Sequence, residues 1–385
     1  MTDSNEKYLG IYVHIPFCIK KCVYCDFLSG PADDSVKERY IDTLCREIRD
    51  TAKQIDGKAE DVRSIFFGGG TPSAIKAELI EKVMHQLRES FTINQEAEIS
   101  IECNPGTLDR EKADIYRRCG INRISFGLQS AHDDELKMLG RIHTFAEFKE
   151  SILIAREAGF GNINVDLMSA LPGQTIEKYQ STLEKVLACN PEHISAYSLI
   201  IEERTYLHDH LMKEYPKLPD EDTEREMYYL TERVLADAGY EHYEISNFAK
   251  PGKECRHNLS YWERKNYLGF GIGAASLFHE NRYTNTTQMK DYLNYRQLSE
   301  VNGDRQVLVK EEQMEEFMFL GLRKIQGINL DEFSYEFSMN IEDVYKEVID
   351  ENRKLGLLEM TGNCLKLTGR GIDVSNVVMS DFLLT

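Results

Sequence analysis

Tyr12-Val13-His14-Ile15-Pro16-Phe17-Cys18-Ile19-Lys20-Lys21-Cys22-Val23-Tyr24-Cys25 is the stretch that decides the fold. Three cysteines fall within eight residues, spaced C-x3-C-x2-C, directly after an apolar run at 9–15 that reads as a strand. A structural zinc site wants four ligands, usually from two cysteine pairs, and no second pair exists here. The other six cysteines (Cys45, Cys103, Cys119, Cys189, Cys255 and Cys364) stand singly. Packing alone rarely puts three cysteines on one tight loop. Three thiolates so placed suit a cubane iron–sulfur cluster with one iron left open. That iron would take a small molecule through an amine and a carboxylate.

Working outward, 385 residues give room for two domains and a full core. No run of eighteen apolar residues occurs, so no membrane span is expected, although peripheral membrane contact stays open. Residues 1–7 carry neither a basic nor an apolar region, so they do not read as a signal peptide. With nine cysteines, an odd number, this favours a reducing, cytoplasmic setting. A net charge of −19 argues against nucleic acid or an anionic membrane as the main partner.

After the cysteine loop, strand and helix alternate. Strands are predicted at 9–15, 63–67, 97–102, 122–126, 163–168 and 193–199, with helices at 34–55, 78–89, 109–119, 145–158 and 176–188. Six β-then-α units call for a parallel sheet with helices outside. Periodicity alone does not choose between an open doubly wound sheet and an incomplete TIM-like barrel. In a barrel the chemistry gathers where strands end, and each strand here ends in a polar or glycine group. Gly68-Gly69-Gly70-Thr71 follows the second strand, where unhindered amides would suit a ligand's carboxylate or amine, or simply make a tight turn. Glu102 ends the third strand, Gln129 follows the fourth, Arg141 lies twelve residues on, and Asp166 sits inside the apolar fifth. An acid so flanked is rarely buried without a partner. Together these groups predict one ring around one mouth.

Beyond residue 199 the alternation stops, and residues 219–238 read as the clearest amphipathic helix. Then come Tyr243-Glu244-Ile245-Ser246-Asn247-Phe248 and Cys255-Arg256-His257-Asn258-Leu259-Ser260-Tyr261-Trp262, the latter holding the single tryptophan. Aromatics beside a histidine suit a flat apolar ligand with a metal to coordinate. A hydrogen-bonded structural histidine is the competing reading of His257. Gly269, Gly271 and Gly273 imitate a dinucleotide fingerprint but lack a βαβ context, so closely packed backbone is expected there. Residues 304–385 read as helices at 310–321, 330–336 and 341–355 with a hairpin at 357–367, a winged-helix-like pattern. From 301 to 385 there are 9 Lys+Arg against 16 Asp+Glu, a net of −7, the wrong sign for DNA. The expected domains are therefore 1–240, a connecting segment 241–303, and 304–385.

These motifs resemble those of radical S-adenosylmethionine (SAM) proteins of the HemN/HemW type, over essentially the whole chain. The carriers are residues 12–25, 68–72, Gln129 with Arg141, Asp166 in Asp-Leu-Met-Ser-Ala-Leu-Pro-Gly, and His257-Asn258-Leu259-Ser260-Tyr261-Trp262. The resemblance implies an incomplete (βα)6 barrel and a [4Fe–4S] cluster on Cys18, Cys22 and Cys25 whose fourth iron chelates SAM. It implies SAM contacts from Tyr12, Tyr24, Gly69, Gly70, Thr71, Glu102, Gln129, Arg141, Asp166 and Ile200. Cleavage of SAM would need a low-potential electron donor. Two departures set the chain apart from the coproporphyrinogen III oxidases of this family: Phe27 stands where they have a fourth loop cysteine, and about eight residues precede the first strand. The histidine-aromatic block instead matches the haem-chaperone-like branch, which implies haem as ligand, His257 as candidate haem contact, and apo-haemoproteins as recipients. The oxidase remains the alternative reading.

Overall fold

The structure, a computed structural model, describes residues 8–303 and 305–384. Its centre is six parallel strands, each beside its predecessor: β1 (Tyr8–Ile15), β2 (Asp61–Gly69), β3 (Thr92–Cys103), β4 (Arg123–Gln129), β5 (Ile163–Ser169) and β6 (His193–Ser198). The connecting helices are Asp34–Ile55, Ala77–Ser90, Arg110–Arg118, Phe145–Glu157 and Ile176–Leu187, with a short extra helix Asp133–Met138 before the fourth of them. Several begin at the side chains that favour helix starts. Asp109 and Thr175 accept the amide three residues on, and Thr144 forms a reciprocal capping box with Glu147.

The barrel does not close, because β1 and β6 each carry further strands. β7 (Glu241–Glu244) and β8 (Asn247–Ala249) extend the sheet antiparallel beyond β6. On the other side β9 (Asn266–Phe270) lies parallel to β1, followed by β10 (Ala275–Phe278), β11 (Asn281–Thr284) and β12 (Gln306–Val307). Residues 241–303, read from sequence as a connecting segment, thus extend the sheet on both sides, with β12 from the following segment closing one edge. The glycine-rich turn is closely packed backbone, as expected: a Cβ on Gly269 would lie 2.1 Å from the Ala275 carbonyl oxygen.

Residue alternation on the central strands explains both the core and the lumen. Leu9, Ile11, Val13 and Ile15 of β1 are fully buried, as are Ile124, Phe126 and Leu128 of β4 and Ile163, Val165 and Leu167 of β5. They join one core with Tyr40, Ile41, Leu44 and Ile48 of the first helix. Each such side chain contributes about 1.5–3 kcal/mol relative to exposure. The intervening residues of the same strands are Tyr12 and His14, Arg123 and Ser125, Asn164 and Asp166, and all of them line one cavity. A TIM barrel normally fills this space with branched aliphatic side chains. Here the inner face is polar, so the lumen is a site rather than a core.

The C-terminal part has its own apolar cluster, including Met318, Phe333, Phe337, Ile341, Tyr345 and Leu365. Helices Lys310–Gly321, Leu330–Phe337 and Ile341–Lys354 surround the ribbon of β13 (Ile328–Asn329), β14 (Leu358–Thr361) and β15 (Cys364–Leu367). This is the winged-helix-like pattern expected. It is tied to the rest by the buried Arg264, which pairs with the buried Glu316 and with the more exposed Glu280 and Glu336. No helix among the described residues is long and apolar enough to cross a membrane.

Candidate functional site

The cysteine loop leaves β1 and is pinned from three directions. Cys18 N–H donates to the Gly30 carbonyl at 3.0 Å, Val23 N–H to that of Leu139 at 3.2 Å, and Leu207 N–H to that of Val23 at 2.8 Å. Beneath it, Gly70 N–H donates to the Ile15 carbonyl at 2.9 Å and Thr71 N–H to that of Phe17 at 2.8 Å. Gly69 N–H is taken by Glu102 Oε2 at 3.1 Å. The amides read from sequence as donors to a ligand are therefore engaged within the protein. The glycines serve close approach instead: a Cβ on Gly70 would lie 2.8 Å from the Phe17 carbonyl oxygen, and one on Gly69 2.5 Å from the His14 ring.

Cys18, Cys22 and Cys25 are free and half-buried. Thr71 Oγ1 lies 3.6 Å from Cys18 Sγ and Arg141 Nη1 lies 3.5 Å from Cys22 Sγ, donors suited to thiolate charge. Arg141 is held by Asn104 Oδ1 at 2.7 Å and by the Gly127 carbonyl, while its Nε is buried without a partner. Among the described residues no three His, Cys, Asp or Glu side chains converge as ligands of a single ion would. Three half-buried thiols on one loop, with Thr71 and Arg141 as donors beside two of them, are a donor set that fits a cubane cluster with one open iron.

Around the mouth, Glu102 and Asp166 face the same space. Burial, aided by the Asp166 carboxylate, pushes Glu102 up to about 8 against the hydrogen bond from Gly69. Burial raises Asp166 too, opposed by Asn164 Nδ2 at 2.7 Å and Ser125 Oγ at 3.3 Å. Gln129 holds a left-handed φ of +73° at the end of β4 and accepts from Tyr197 at 3.2 Å. Such strain in a non-glycine residue persists where the surrounding structure fixes it. Tyr12 donates to His14 Nδ1 at 3.0 Å, which sets the tautomer because His14 Nε2 donates to the Leu28 carbonyl at 3.0 Å. Tyr24 packs under the loop in an apolar satellite with Leu139, Met168 and Leu199. Ile200 is 70% exposed on the loop after β6.

His257 lies on the helix Arg256–Trp262, whose first amides are capped by Glu98: Oε2 accepts from Arg256 N–H and Oε1 from His257 N–H, both at 3.2 Å. The imidazole is buried, with Nδ1 2.8 Å from Ser64 Oγ, Nε2 3.0 Å from the Tyr261 hydroxyl, and Phe66 stacked at 5.2 Å. Burial, then the charge of Arg123, pulls it down to about 3, so it is neutral. Both ring nitrogens are already bonded. A cavity of about 760 Å³ joins this helix to Tyr12, Gly69, Glu102 and Asp166 and reaches Phe319 of the C-terminal part. That volume is ordinary for a small-molecule site. Sequence reading did not pick out His14, Tyr197 or Arg123; their signal was a polar residue at every second position of an otherwise apolar strand.

An incomplete parallel barrel with three thiols at the end of its first strand defines a radical SAM protein. Residues 12–186 match the radical SAM superfamily, and residues 308–374 the HemN C-terminal domain. The class carries a [4Fe–4S] cluster and SAM. The chain is 36% identical to the heme chaperone HemW of Lactococcus lactis over 98% of both chains. It is 35% identical to that of Bacillus subtilis and 33% to that of Escherichia coli, covering 97% of this chain and 98% of each relative. This chain belongs to the HemW family. Its fold is that of coproporphyrinogen III oxidase (HemN) from Escherichia coli, with a TM-score of 0.86 at 24% identity over 98% of this chain and 90% of that one.

Proposed function

We propose that this protein binds haem in the 760 Å³ cavity and delivers it to apo-haemoproteins, with a [4Fe–4S] cluster and SAM held at the barrel mouth. The observation that carries this reading is the continuity of that cavity, from the strand-end groups Gly69, Glu102 and Asp166 to the His257–Trp262 helix. Cys18, Cys22 and Cys25 would hold the cluster, whose chemistry would be one-electron reduction of SAM with a low-potential donor as the electron source. Glu102 and Asp166 orient the polar parts of SAM, Arg141 steadies the Cys22 thiolate, and Tyr12 fixes His14 behind the glycine loop. Tyr24, Gln129 and Ile200 complete the ring from the loop, β4 and the segment after β6. For His257 to ligate haem iron, Tyr261 must release Nε2.

The same proposal treats 304–385 as a structural or partner-docking module and takes the setting to be the cytoplasm, which the odd count of nine cysteines supports. Porphyrinogen oxidation is the competing outcome; Phe27, 62% exposed at the cavity, occupies the position of the oxidases' fourth loop cysteine. The test is anaerobic purification, a haem titration read at the Soret band, and a coproporphyrinogen assay with SAM and reductant. About one haem per chain and no protoporphyrinogen are expected. Steady turnover of coproporphyrinogen would restore the oxidase.

A further inference from the structure

At the floor of the lumen a buried cation stands without a hydrogen bond. Arg123 opens β4, is 2% exposed, and lines the cavity. Among the described residues no group hydrogen-bonds its guanidinium, and its Nε is buried with no acceptor. Burial works against its charge, while the nearby Cys255, Glu98, Tyr243 and Asp166 favour it through space, so the guanidinium stays charged although none of them accepts a hydrogen bond from it. The two carboxylates among them are committed elsewhere. Glu98 caps the helix Arg256–Trp262 and also accepts from Cys255 Sγ at 3.5 Å. Asp166 is held by Asn164 and Ser125. A guanidinium does not shed its proton, and it offers five donors in a fork that matches a carboxylate. Burying such donors without acceptors is costly, and native sites tolerate that where a ligand supplies the partner.

We propose that Arg123 recognises a carboxylate of the cavity's ligand, a peripheral acid side chain of the tetrapyrrole, by a bidentate pair at the lumen floor. This rests on the haem reading above. SAM also carries a carboxylate, but its amino-acid end belongs at the cluster. From Arg123 to Gln129 at the far end of β4 is six residues, about 20 Å at ~3.3 Å per residue. A tetrapyrrole standing on Arg123 would lie against the Phe66–His257 stack and Trp262, which line the same cavity.

Trp262 is the only tryptophan, so its fluorescence reports from inside the site. The test titrates the full-length, cluster-loaded protein with haem and with haem dimethyl ester, which lacks both carboxylates, following quenching of Trp262. Wild type should bind haem at least about ten-fold more tightly than the ester. Arg123→Met should abolish that preference, and Arg123→Lys should restore part of it, while SAM affinity stays unchanged. Equal binding of haem and ester by wild type overturns the assignment without needing any variant to fold. An unchanged preference in Arg123→Met overturns it as well. A fall in SAM affinity in that variant, with haem unaffected, would give Arg123 to the other carboxylate. If wild type binds neither porphyrin, the haem reading itself falls and takes this pairing with it. Haem binding without ester discrimination sinks the pairing alone.

Discussion

The mouth and the floor of the lumen are built in opposite ways. At the mouth, the three thiols proposed as cluster ligands come from one eight-residue loop, and the fold's task is to hold backbone against backbone at Gly70 and Thr71. At the floor, each polar group comes from a different strand: Ser64 from β2, Glu98 from β3, Arg123 from β4, Asn164 from β5 and His193 from β6. His193 illustrates the result, with Nδ1 2.6 Å from Asn164 Oδ1 and Nε2 2.8 Å from the Tyr243 hydroxyl. A loop site fails when one ligand is lost. A strand site is a network, and its members lose stability together.

The sharpest break in the comparison is the cluster itself. Cys18→Ala, Cys22→Ala or Cys25→Ala should each take iron from about four per chain to near none, because three ligands leave no spare. Alanine at Cys45, Cys103, Cys119, Cys189, Cys255 or Cys364 should leave the iron in place. Iron analysis after anaerobic reconstitution decides; full iron in Cys22→Ala would mean the loop has been misread.

At the floor, His257→Ala should leave iron untouched but destabilise the fold by about 2–4 kcal/mol. It opens a cavity beside Phe66 and strands the Ser64 and Tyr261 hydroxyls. Haem uptake should fall with it. Urea denaturation and Soret titration read the two effects separately, and normal haem uptake would move the iron ligand elsewhere.

Glu102 and His257 then sharpen the contrast, because they titrate in opposite senses. Glu102 is raised from 4.5 to about 8, so its contribution to stability is full below 4.5 and is lost as pH rises towards 8. His257 is lowered from 6.5 to about 3, so its contribution is full above 6.5 and is lost as pH falls towards 3. Urea midpoints against pH should show Glu102→Gln gaining on wild type as pH rises through that window. SAM affinity at pH 8.5 should drop about ten- to a hundred-fold in Glu102→Gln, roughly 1.5–3 kcal/mol, by loss of a charge-assisted bond. Unchanged affinity there would remove Glu102 from the ring.

The same contrast explains what could be read in the chain. The cysteine loop is local, so its spacing announced both the chemistry and the end of β1. The six strands and their helices were legible because apolar periodicity is local too. The outer strands β7 to β12 were not: they are two to five residues long, and pairing outward from β8 on β6 and β9 on β1, rather than intrinsic preference, makes them strands. Arg123 was passed over because Asn122-Arg123-Ile124-Ser125 reads as an ordinary half-buried strand start. Only the assembled barrel shows that its polar face has no water-facing side. The acceptors of the Gly69 to Thr71 amides are hidden in the sequence for a related reason, since Glu102, Ile15 and Phe17 lie on other segments.

The smallest expected effect probes the link between the two ends. Glu98 touches neither cluster loop nor mouth, yet it fixes the helix that carries His257. Its carboxylate accepts the Arg256 and His257 amides on separate oxygens and sits at that helix's positive end. In Glu98→Gln one oxygen remains as an acceptor, while the amide nitrogen turns a donor towards a donor. The cost should be about 1 kcal/mol, from one weakened hydrogen bond and the lost charge–dipole attraction. It should appear as a lower urea midpoint and as a change in Trp262 emission, since Trp262 ends the same helix. Iron content and SAM affinity should not move, because the mouth is held by its own backbone contacts. A loss of iron in Glu98→Gln would show that floor and mouth are one cooperative unit, and the distinction between loop-built and strand-built sites would fail.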